Sequence, residues 1–353
     1  MSHATNVKKR LVQGKLTAIL ILLFASIATG CGNGEEKAAA TASTDSNAAS
    51  GAKEKFTVNI GINSGIGVLA LAKEKGFFKE AYAEINADVT FADFPTGPPL
   101  VEAVAAERID LGYLGDAAAI GALTGNIPIT LLSQVSDGKQ GLNHLLVHKD
   151  SPIQKVEDLK GKKIALTKGT VFHVFLVKAL NQVGLKETDV EIIHLQPDEG
   201  QPAFESKAVD AWIISNPYVG LQVQKNGAQI IADGESLDLP APIFSFVRNE
   251  FAEKHPEAVE IFLKVFNETL EYERNHKDEA LELYAKLKKV DKQVIASVLK
   301  TSPSVNTPIS PEVVQFEQNT ADLLYDLKFL KKKIEIAKFI NNDYVQKVNG
   351  GNP

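Results

Sequence analysis

The sequence predicts an α/β fold of two lobes, in which mainly parallel sheets carry helices on both faces and two hinge crossings join the lobes. Three observations support this prediction. From Phe56 onward, short β-rich runs alternate with helical patterns, as they do in consecutive βαβ units. The alternation stops after residue 135 and restarts near residue 162. The chain has 353 residues, more than the roughly 250–300 at which one hydrophobic core stops growing.

The first series of elements begins at Phe56. Its strands are predicted from four short apolar runs, which are FTVNIGI, DVTFADF, LGYLG and PITLLSQV. The intervening helices are predicted from three segments with helical spacing, which are GVLALAKEKGFF, PPLVEAVAAERI and DAAAIGALTG. Prolines at the start of the second helix fit the first turn, where a missing N–H costs nothing.

The second series follows HLLVHKDSPI and has the same alternation. Its predicted strands are KKIALT, VEIIHL, AWIIS and AQIIA, and its predicted helices are VFHVFLVKALNQVGL, QPAFESKAV and NPYVGLQVQKNG. After PIFSFVRNEF the pattern becomes almost wholly helical, with apolar residues spaced by three and four. We expect these last helices to pack onto a lobe and not to form another independent unit.

Two extended segments flank the second series, GLNHLLVHK and PIFSFVRNE, and we interpret them as the crossings between the lobes. The second lobe, residues 146–245, is then an insertion into the first, which consists of residues 55–145 and 246–350. Two lobes joined by two crossings enclose a cleft that can close by a hinge motion.

The N-terminus has the layout of a signal peptide. Four basic residues between Lys8 and Lys15 precede an uncharged apolar run from Leu16 to Ala28, and small polar residues follow. The apolar run is shorter than the ~20 residues of a membrane-spanning helix. We therefore expect residues 1–31 to act as a secretory leader.

Cys31 is the only cysteine of the chain. The sequence Ala28-Thr29-Gly30-Cys31 resembles the lipobox of bacterial lipoproteins, although Ala28 stands where leucine is usual. The resemblance implies that Cys31 becomes the lipidated N-terminus and that the protein is anchored to the outer face of the cell membrane. The alternative is an ordinary cleavage site with an incidental cysteine. Residues 32–54 lack aromatic and branched aliphatic side chains, which predicts a flexible tether reaching on the order of 25 Å.

Charge excludes several classes of partner. The whole chain has a net charge of −6, and without residues 1–31, which carry four basic and no acidic residues, the remainder has a net charge of −10. Binding to nucleic acid or directly to an anionic membrane is therefore not expected.

The motifs of common enzymes are missing from the sequence. There is no cysteine after Cys31, no Gly-x-Ser-x-Gly, no Walker loop and no His-Glu-x-x-His. His144 and His148 have the spacing of helical metal ligands, but they flank a predicted strand, where four residues span ~13 Å. We predict no catalytic residue, no metal site and no cofactor.

A ligand site is predicted where the strands end and the helices begin, because this edge of a parallel sheet usually faces the ligand. Helix starts offer free N–H groups to an anion, and glycines let a ligand approach the backbone. The candidate ligand-binding residues are Ser64, Gly65, Thr96, Gly115, Asp116, Thr170, His173, Asn216 and Tyr218.

Each candidate also has a structural interpretation. The Ser, Thr, Asp and Asn residues are the usual helix caps, and the glycines are typical of turns. Tyr218 could belong to the core, and His173 could be a packed histidine that a neighbouring side chain satisfies.

Three segments carry a family resemblance: FPTGPPLVEAVAAERIDLGYLGDAA, DSPIQKVEDLKGKKIALTKGTVFHVFLVKAL and AFESKAVDAWIISNPY. From about Phe56 to Val345 the chain resembles substrate-binding proteins of ABC importers, and especially the aliphatic sulfonate, taurine and nitrate branch. The resemblance implies the two-lobed periplasmic-binding-protein-like fold (type II), a monomeric receptor, and a permease with its ATPase as partners.

The resemblance also implies a ligand class. Ala117, Ser215 and Asn216 depart from the residues usual in the sulfonate branch, and a neutral Asn216 argues against an amine-bearing ligand such as taurine. An aliphatic sulfonate or a related small organic anion is expected. Alternatives are nitrate, taurine or a thiamine-pyrimidine precursor as ligand, a biosynthetic enzyme of the same fold, or a solute sensor that partners a membrane kinase.

Overall fold

The fold is described from a computed structural model for residues 54–63, 66–136, 138, 142–301 and 303–350. The predicted leader, Cys31 and nearly all of the predicted tether lie outside these residues. Ten strands form two five-stranded sheets within the described part. No helix there is long and apolar enough to span a membrane.

The first sheet has the strand order β2-β1-β3-β10-β4. The pairs β1–β2 and β1–β3 are parallel, and β10 lies antiparallel between β3 and β4. The strands are β1 (Phe56–Asn63), β2 (Ala87–Phe94), β3 (Leu111–Gly115), β4 (Ile129–Ser136) and β10 (Ile243–Arg248).

The second sheet repeats this arrangement with the order β7-β6-β8-β5-β9. Strand β6 is parallel to β7 and β8, whereas β5 is antiparallel to β8 and β9. The strands are β5 (His144–Val147), β6 (Lys163–Leu166), β7 (Glu191–His194), β8 (Ala211–Ile214) and β9 (Gln229–Asp233).

The two antiparallel strands correct one detail of the sequence analysis. The segments interpreted as crossings contain β5 and β10, which lie inside the sheets. The chain passes to the second sheet between β4 and β5, and it returns between β9 and β10. The strand that follows each crossing is the one that lies antiparallel to its neighbours in the sheet. The exact lobe boundaries remain a prediction.

Helices cover both faces of the first sheet. One face packs against α3 (Gly97–Ala105), α4 (Asp116–Thr124) and α12 (Pro311–Asp326). The other packs against α1 (Val68–Lys75), α2 (Phe77–Ala83), α8 (Asn249–Lys254), α9 (Pro256–Asn275) and α13 (Asp343–Val348). Helices of the C-terminal part therefore pack on the first sheet, and α10 (Lys277–Lys288) and α11 (Lys292–Thr301) extend this layer.

One predicted helix is two helices. GVLALAKEKGFF is interrupted at Gly76, which adopts φ 79° and ends α1 in a left-handed conformation. Glycine reaches this region without steric cost, and the break lets α2 turn its Phe78 and Tyr82 into the core.

The second sheet has its own core, to which α5 (Val171–Gln182), α6 (Pro197–Glu205) and α7 (Tyr218–Asn226) contribute. The apolar side chains of VFHVFLVKAL make α5 almost wholly buried. The predicted α/β fold with two sheets and flanking helices is therefore confirmed.

A buried ion pair joins three strands at the amino end of the first sheet. Asp110 Oδ1 accepts a hydrogen bond from Arg248 Nη2 at 2.8 Å, and its Oδ2 accepts from Asn59 Nδ2 at 2.8 Å and from the Asn59 backbone N–H at 3.0 Å. The Asp110 side chain is only 2% exposed. This end of the sheet is structural, and it lies opposite the carboxyl ends of the parallel strands.

Candidate functional site

The carboxyl ends of the two sheets lie directly against each other. Thr96, after β2, donates a hydrogen bond from Oγ1 to Oε1 of Gln196, after β7, at 3.1 Å. Pro98 lies close enough to Gly169 that a Cβ on this glycine would be 3.6 Å from the proline ring. The structure therefore brings together the two edges at which the sequence predicts a ligand site.

Gly115 allows the closest of these approaches. It ends β3, and a Cβ at this position would be 2.6 Å from Cγ1 of Val171, the first residue of α5. Any larger side chain would push α5 away from β3. The glycine is thus required by the contact between the two sheets, in addition to any contact with a ligand.

Thr96 precedes α3 and its side chain makes no cap hydrogen bond to that helix. The capping alternative therefore does not account for its hydroxyl, which instead reaches Gln196 of the other sheet. Thr96 is only 5% exposed. Of the predicted site residues that the structure describes, it is the one whose side chain directly joins both edges by a hydrogen bond.

Thr170 and His173 both have local partners. Thr170 Oγ1 accepts from the N–H of Phe172 at 3.2 Å and donates to the carbonyl of Thr167 at 2.7 Å, which is the geometry of a helix cap. His173 Nδ1 accepts from the N–H of Gly169 at 3.3 Å, so Nε2 carries the proton and donates to Glu187 Oε1 at 3.1 Å.

Burial lowers the pKa of His173, and the ring packs edge-on against Phe329 with centroids 5.0 Å apart. This is the geometry of the packed-histidine alternative. His173 could donate to a ligand only if Nε2 gave up Glu187, and its ligand contact stays a prediction.

Asn216 and Tyr218 lie at the start of α7. Asn216 Oδ1 accepts from the N–H of Gly220 at 3.2 Å, which caps the helix. Tyr218 is half-buried and packs edge-on against Trp212 at 5.5 Å, and burial raises the pKa of its hydroxyl. Both side chains belong to the same edge as Thr170, so the predicted grouping in the second sheet is present.

Asp116 points into a buried group of charges. Its Oδ1 accepts from the N–H of Ala117 at 2.5 Å, and its side chain interacts electrostatically with Lys178. Lys178 in turn interacts with Glu317. Burial raises the pKa of Asp116 and lowers that of Lys178.

Gln196, Lys178 and Glu317 were not predicted from the sequence. A signal existed for Lys178, because it is the one charged residue in the otherwise apolar stretch VFLVKAL. Gln196 and Glu317 lie among other polar residues, and no local pattern distinguishes them. Among the predicted candidates, Ser64 and Gly65 lie outside the described residues.

Within the described part of the chain, no group of three or more His, Cys, Asp or Glu side chains could hold a metal ion. His148 Nε2 lies 2.9 Å from the carbonyl of Val209, and the ring stacks on Phe204. What the opposed edges offer is helix starts, hydroxyl groups and amides, which can bind a small anion by hydrogen bonding.

Comparison with known proteins gives a family match. A family model described as NMT1/THI5 like matches residues 63–280. A protein of Bacillus subtilis (strain 168), named as a candidate aliphatic sulfonates-binding protein, is 40% identical over 333 residues, which cover 94% of this chain and 95% of that protein.

Solved structures show the same similarity. The alkanesulfonate-binding protein SsuA from Xanthomonas axonopodis pv. citri, bound to MOPS, has a TM-score of 0.75 and 26% identity over 81% of this chain and 98% of its own. The periplasmic aliphatic sulphonate binding protein SsuA from Escherichia coli has a TM-score of 0.72 and 32% identity over 83% of this chain and 98% of its own. The desulfurization enzyme DSZB, at 16% identity and a TM-score of 0.64 over 84% of this chain and 99% of its own, shares the fold alone.

Proposed function

Because the chain belongs to the NMT1/THI5-like family, we propose that it is the solute-binding component of an ABC importer and captures an aliphatic sulfonate between its two sheets. The observation that supports this most directly is the contact between the two carboxyl edges, made by Thr96 with Gln196 and by Gly115 with Val171. A ligand held there touches both halves and can favour the state in which they are together.

The proposed ligand is a monoanion with an uncharged tail. Its sulfonate oxygens would accept hydrogen bonds from the backbone N–H groups of Gly97 and Val171, the first residues of α3 and α5. The net charge of −10 beyond the leader does not oppose this, because donors within hydrogen-bond distance act far more strongly than charges beyond one Debye length of ~8 Å.

We propose a binding protein and not an enzyme. The sequence relatives reported above are named for binding, and within the described ranges the site contains no nucleophile paired with a base. A biosynthetic enzyme of the same fold would show turnover of its ligand, which binding alone does not produce.

The test is a thermal-shift and calorimetric panel on the chain from residue 32. It contains alkanesulfonates of increasing length, the matched carboxylates, taurine, nitrate, sulfate and thiamine-pyrimidine precursors. A sulfonate present at 100 times its Kd stabilises the protein by about 2.7 kcal/mol. The proposal fails if no sulfonate at millimolar concentration raises the midpoint, and a shift by a pyrimidine precursor alone would replace the ligand class.

We also propose that the protein is extracytoplasmic and is anchored through lipid on Cys31. The name of the Escherichia coli relative supports the first statement, and the lipobox-like sequence supports the second. Metabolic labelling with an alkyne fatty acid should mark the wild type and not Cys31→Ala. Equal labelling of both, or of neither, would leave the ordinary cleavage site as the explanation.

A further inference from the structure

Three buried charged side chains from three helices interact electrostatically, and we call them the interlobe cluster: Asp116 of α4, Lys178 of α5 and Glu317 of α12. They are 1%, 9% and 2% exposed, respectively. Lys178 Nζ donates to Thr320 Oγ1 at 2.8 Å and lies 4.3 Å from the centre of the Phe316 ring. Charged residues are rarely buried to this degree unless their charges are balanced.

The cluster joins the two halves of the protein. Asp116 and Glu317 lie on helices that pack on the first sheet. Lys178 lies on α5, whose Phe175 and Leu176 belong to the core of the second sheet. The ammonium group of Lys178, from the half built on the second sheet, therefore interacts with carboxyl groups from the half built on the first sheet.

The cluster holds two carboxyl groups and one ammonium group, so one carboxyl group must be neutral for the charges to balance. Neither oxygen of Glu317 has a hydrogen-bond partner, and the other side chains lining its adjacent cavity are apolar. Burial raises the pKa of Glu317 well above its usual value, and Asp116 raises it further. Asp116 is the better anion, because it begins a helix and accepts an N–H.

We propose that Lys178 is a positioning residue for ligand capture: its charge, balanced by Asp116 only when the two halves are in contact, holds the closed arrangement without touching the ligand. The inference rests on the proposed function, in which ligand binds the closed state. The apparent Kd then equals the intrinsic Kd divided by the closed fraction. A residue remote from the ligand can therefore weaken binding by reducing that fraction.

The experiment compares wild type with Lys178→Met, Asp116→Asn and the double variant Asp116→Asn/Lys178→Met, with exposed Lys186→Met as the matched control. Lys178→Met leaves the Asp116 charge without its cation, Asp116→Asn leaves Glu317 as the carboxyl group that can balance Lys178, and the double variant removes both charges. Small-angle scattering reports the radius of gyration without ligand, calorimetry reports the Kd for the sulfonate that binds wild type, and circular dichroism confirms folding.

We expect Lys178→Met to be more extended than wild type without ligand and to bind the sulfonate at least tenfold more weakly. Asp116→Asn should keep the wild-type radius, because Glu317 can ionise and balance Lys178, and the double variant should regain the wild-type radius. Lys178→Met with wild-type radius and affinity would refute the inference. So would a double variant as extended as Lys178→Met, because that result indicates lost packing and not lost charge balance.

A failure of the proposed function can be distinguished from a failure of this inference. If wild type binds no sulfonate, the scattering comparison without ligand still decides whether Lys178 holds the halves together. If Lys178→Met does not fold, the double variant decides the question, because a protein without either charge should fold and close.

Discussion

Replacing Glu317 by glutamine tests whether this buried carboxyl group is neutral in the folded protein. Glutamine has nearly the same shape and cannot ionise. At pH 5 both proteins then present a neutral side chain, and their free energies of unfolding should agree to within about 1 kcal/mol. The two proteins should differ increasingly as the pH rises.

The size of the effect follows from the direction of the pKa shift. Burial raises the pKa of Glu317 well above its ordinary value of 4.5, which the group keeps in the unfolded chain. Its contribution to stability is therefore complete below the unfolded pKa and is lost as the pH rises through the folded pKa. The loss is at most about 1.4 kcal/mol per pH unit, or about 2.7 kcal/mol between pH 5 and pH 7. Glu317→Gln avoids this loss and gains relative stability as the pH rises.

Urea unfolding of both proteins at pH 5, 6, 7 and 8 measures the difference. The matched control is Glu312→Gln, an exposed position in the first turn of the same helix, which should show no such trend. A stability difference between wild type and Glu317→Gln that stays constant, or that falls with rising pH, would show that Glu317 is ionised when folded and would refute the charge balance proposed for the cluster.

Two further substitutions probe the contacts between and within the sheets. Gly115→Ala places a Cβ 2.6 Å from Cγ1 of Val171, so calorimetry should show at least tenfold weaker binding of the ligand. The control Gly121→Ala adds a Cβ with no atom within 4 Å and should stabilise the protein by about 0.5–1 kcal/mol. Equal ligand affinities of the two variants would contradict this reasoning. Asp110→Ala leaves Arg248 with only the exposed Glu250 as an anion and should cost about 3 kcal/mol in urea unfolding, with ligand affinity retained in the folded fraction. A cost below about 1 kcal/mol would show that the pair with Asp110 is dispensable.

Most strands and helices could be predicted from the sequence, because each is set by the spacing of apolar residues over fewer than twenty positions. FTVNIGI, DVTFADF and LGYLG all became strands of the first sheet, and VFHVFLVKAL became α5. The break at Gly76 and the antiparallel entry of β5 and β10 were not predicted. The first depends on where α2 packs, and the second on which sheet each crossing strand joins.

The location of the candidate site could be predicted from the sequence, but the role of each side chain in it could not. That the loops carrying Thr96, Gly115 and Thr170 share one region follows from strand direction alone. Whether a hydroxyl caps its own helix or reaches across the site is decided by neighbours distant in sequence. The Thr96 hydroxyl donates a hydrogen bond to Gln196, 100 positions away, whereas the Thr170 hydroxyl forms hydrogen bonds only with the nearby Phe172 and Thr167.

The class of fold, the repetition of the βαβ pattern and the resemblance to solute-binding proteins could all be established from the sequence, since all three reside in local patterns. The buried cluster of Asp116, Lys178 and Glu317 is visible only in the folded protein. These residues come from three helices up to 201 positions apart, and their charges matter to one another only because folding removes the water between them.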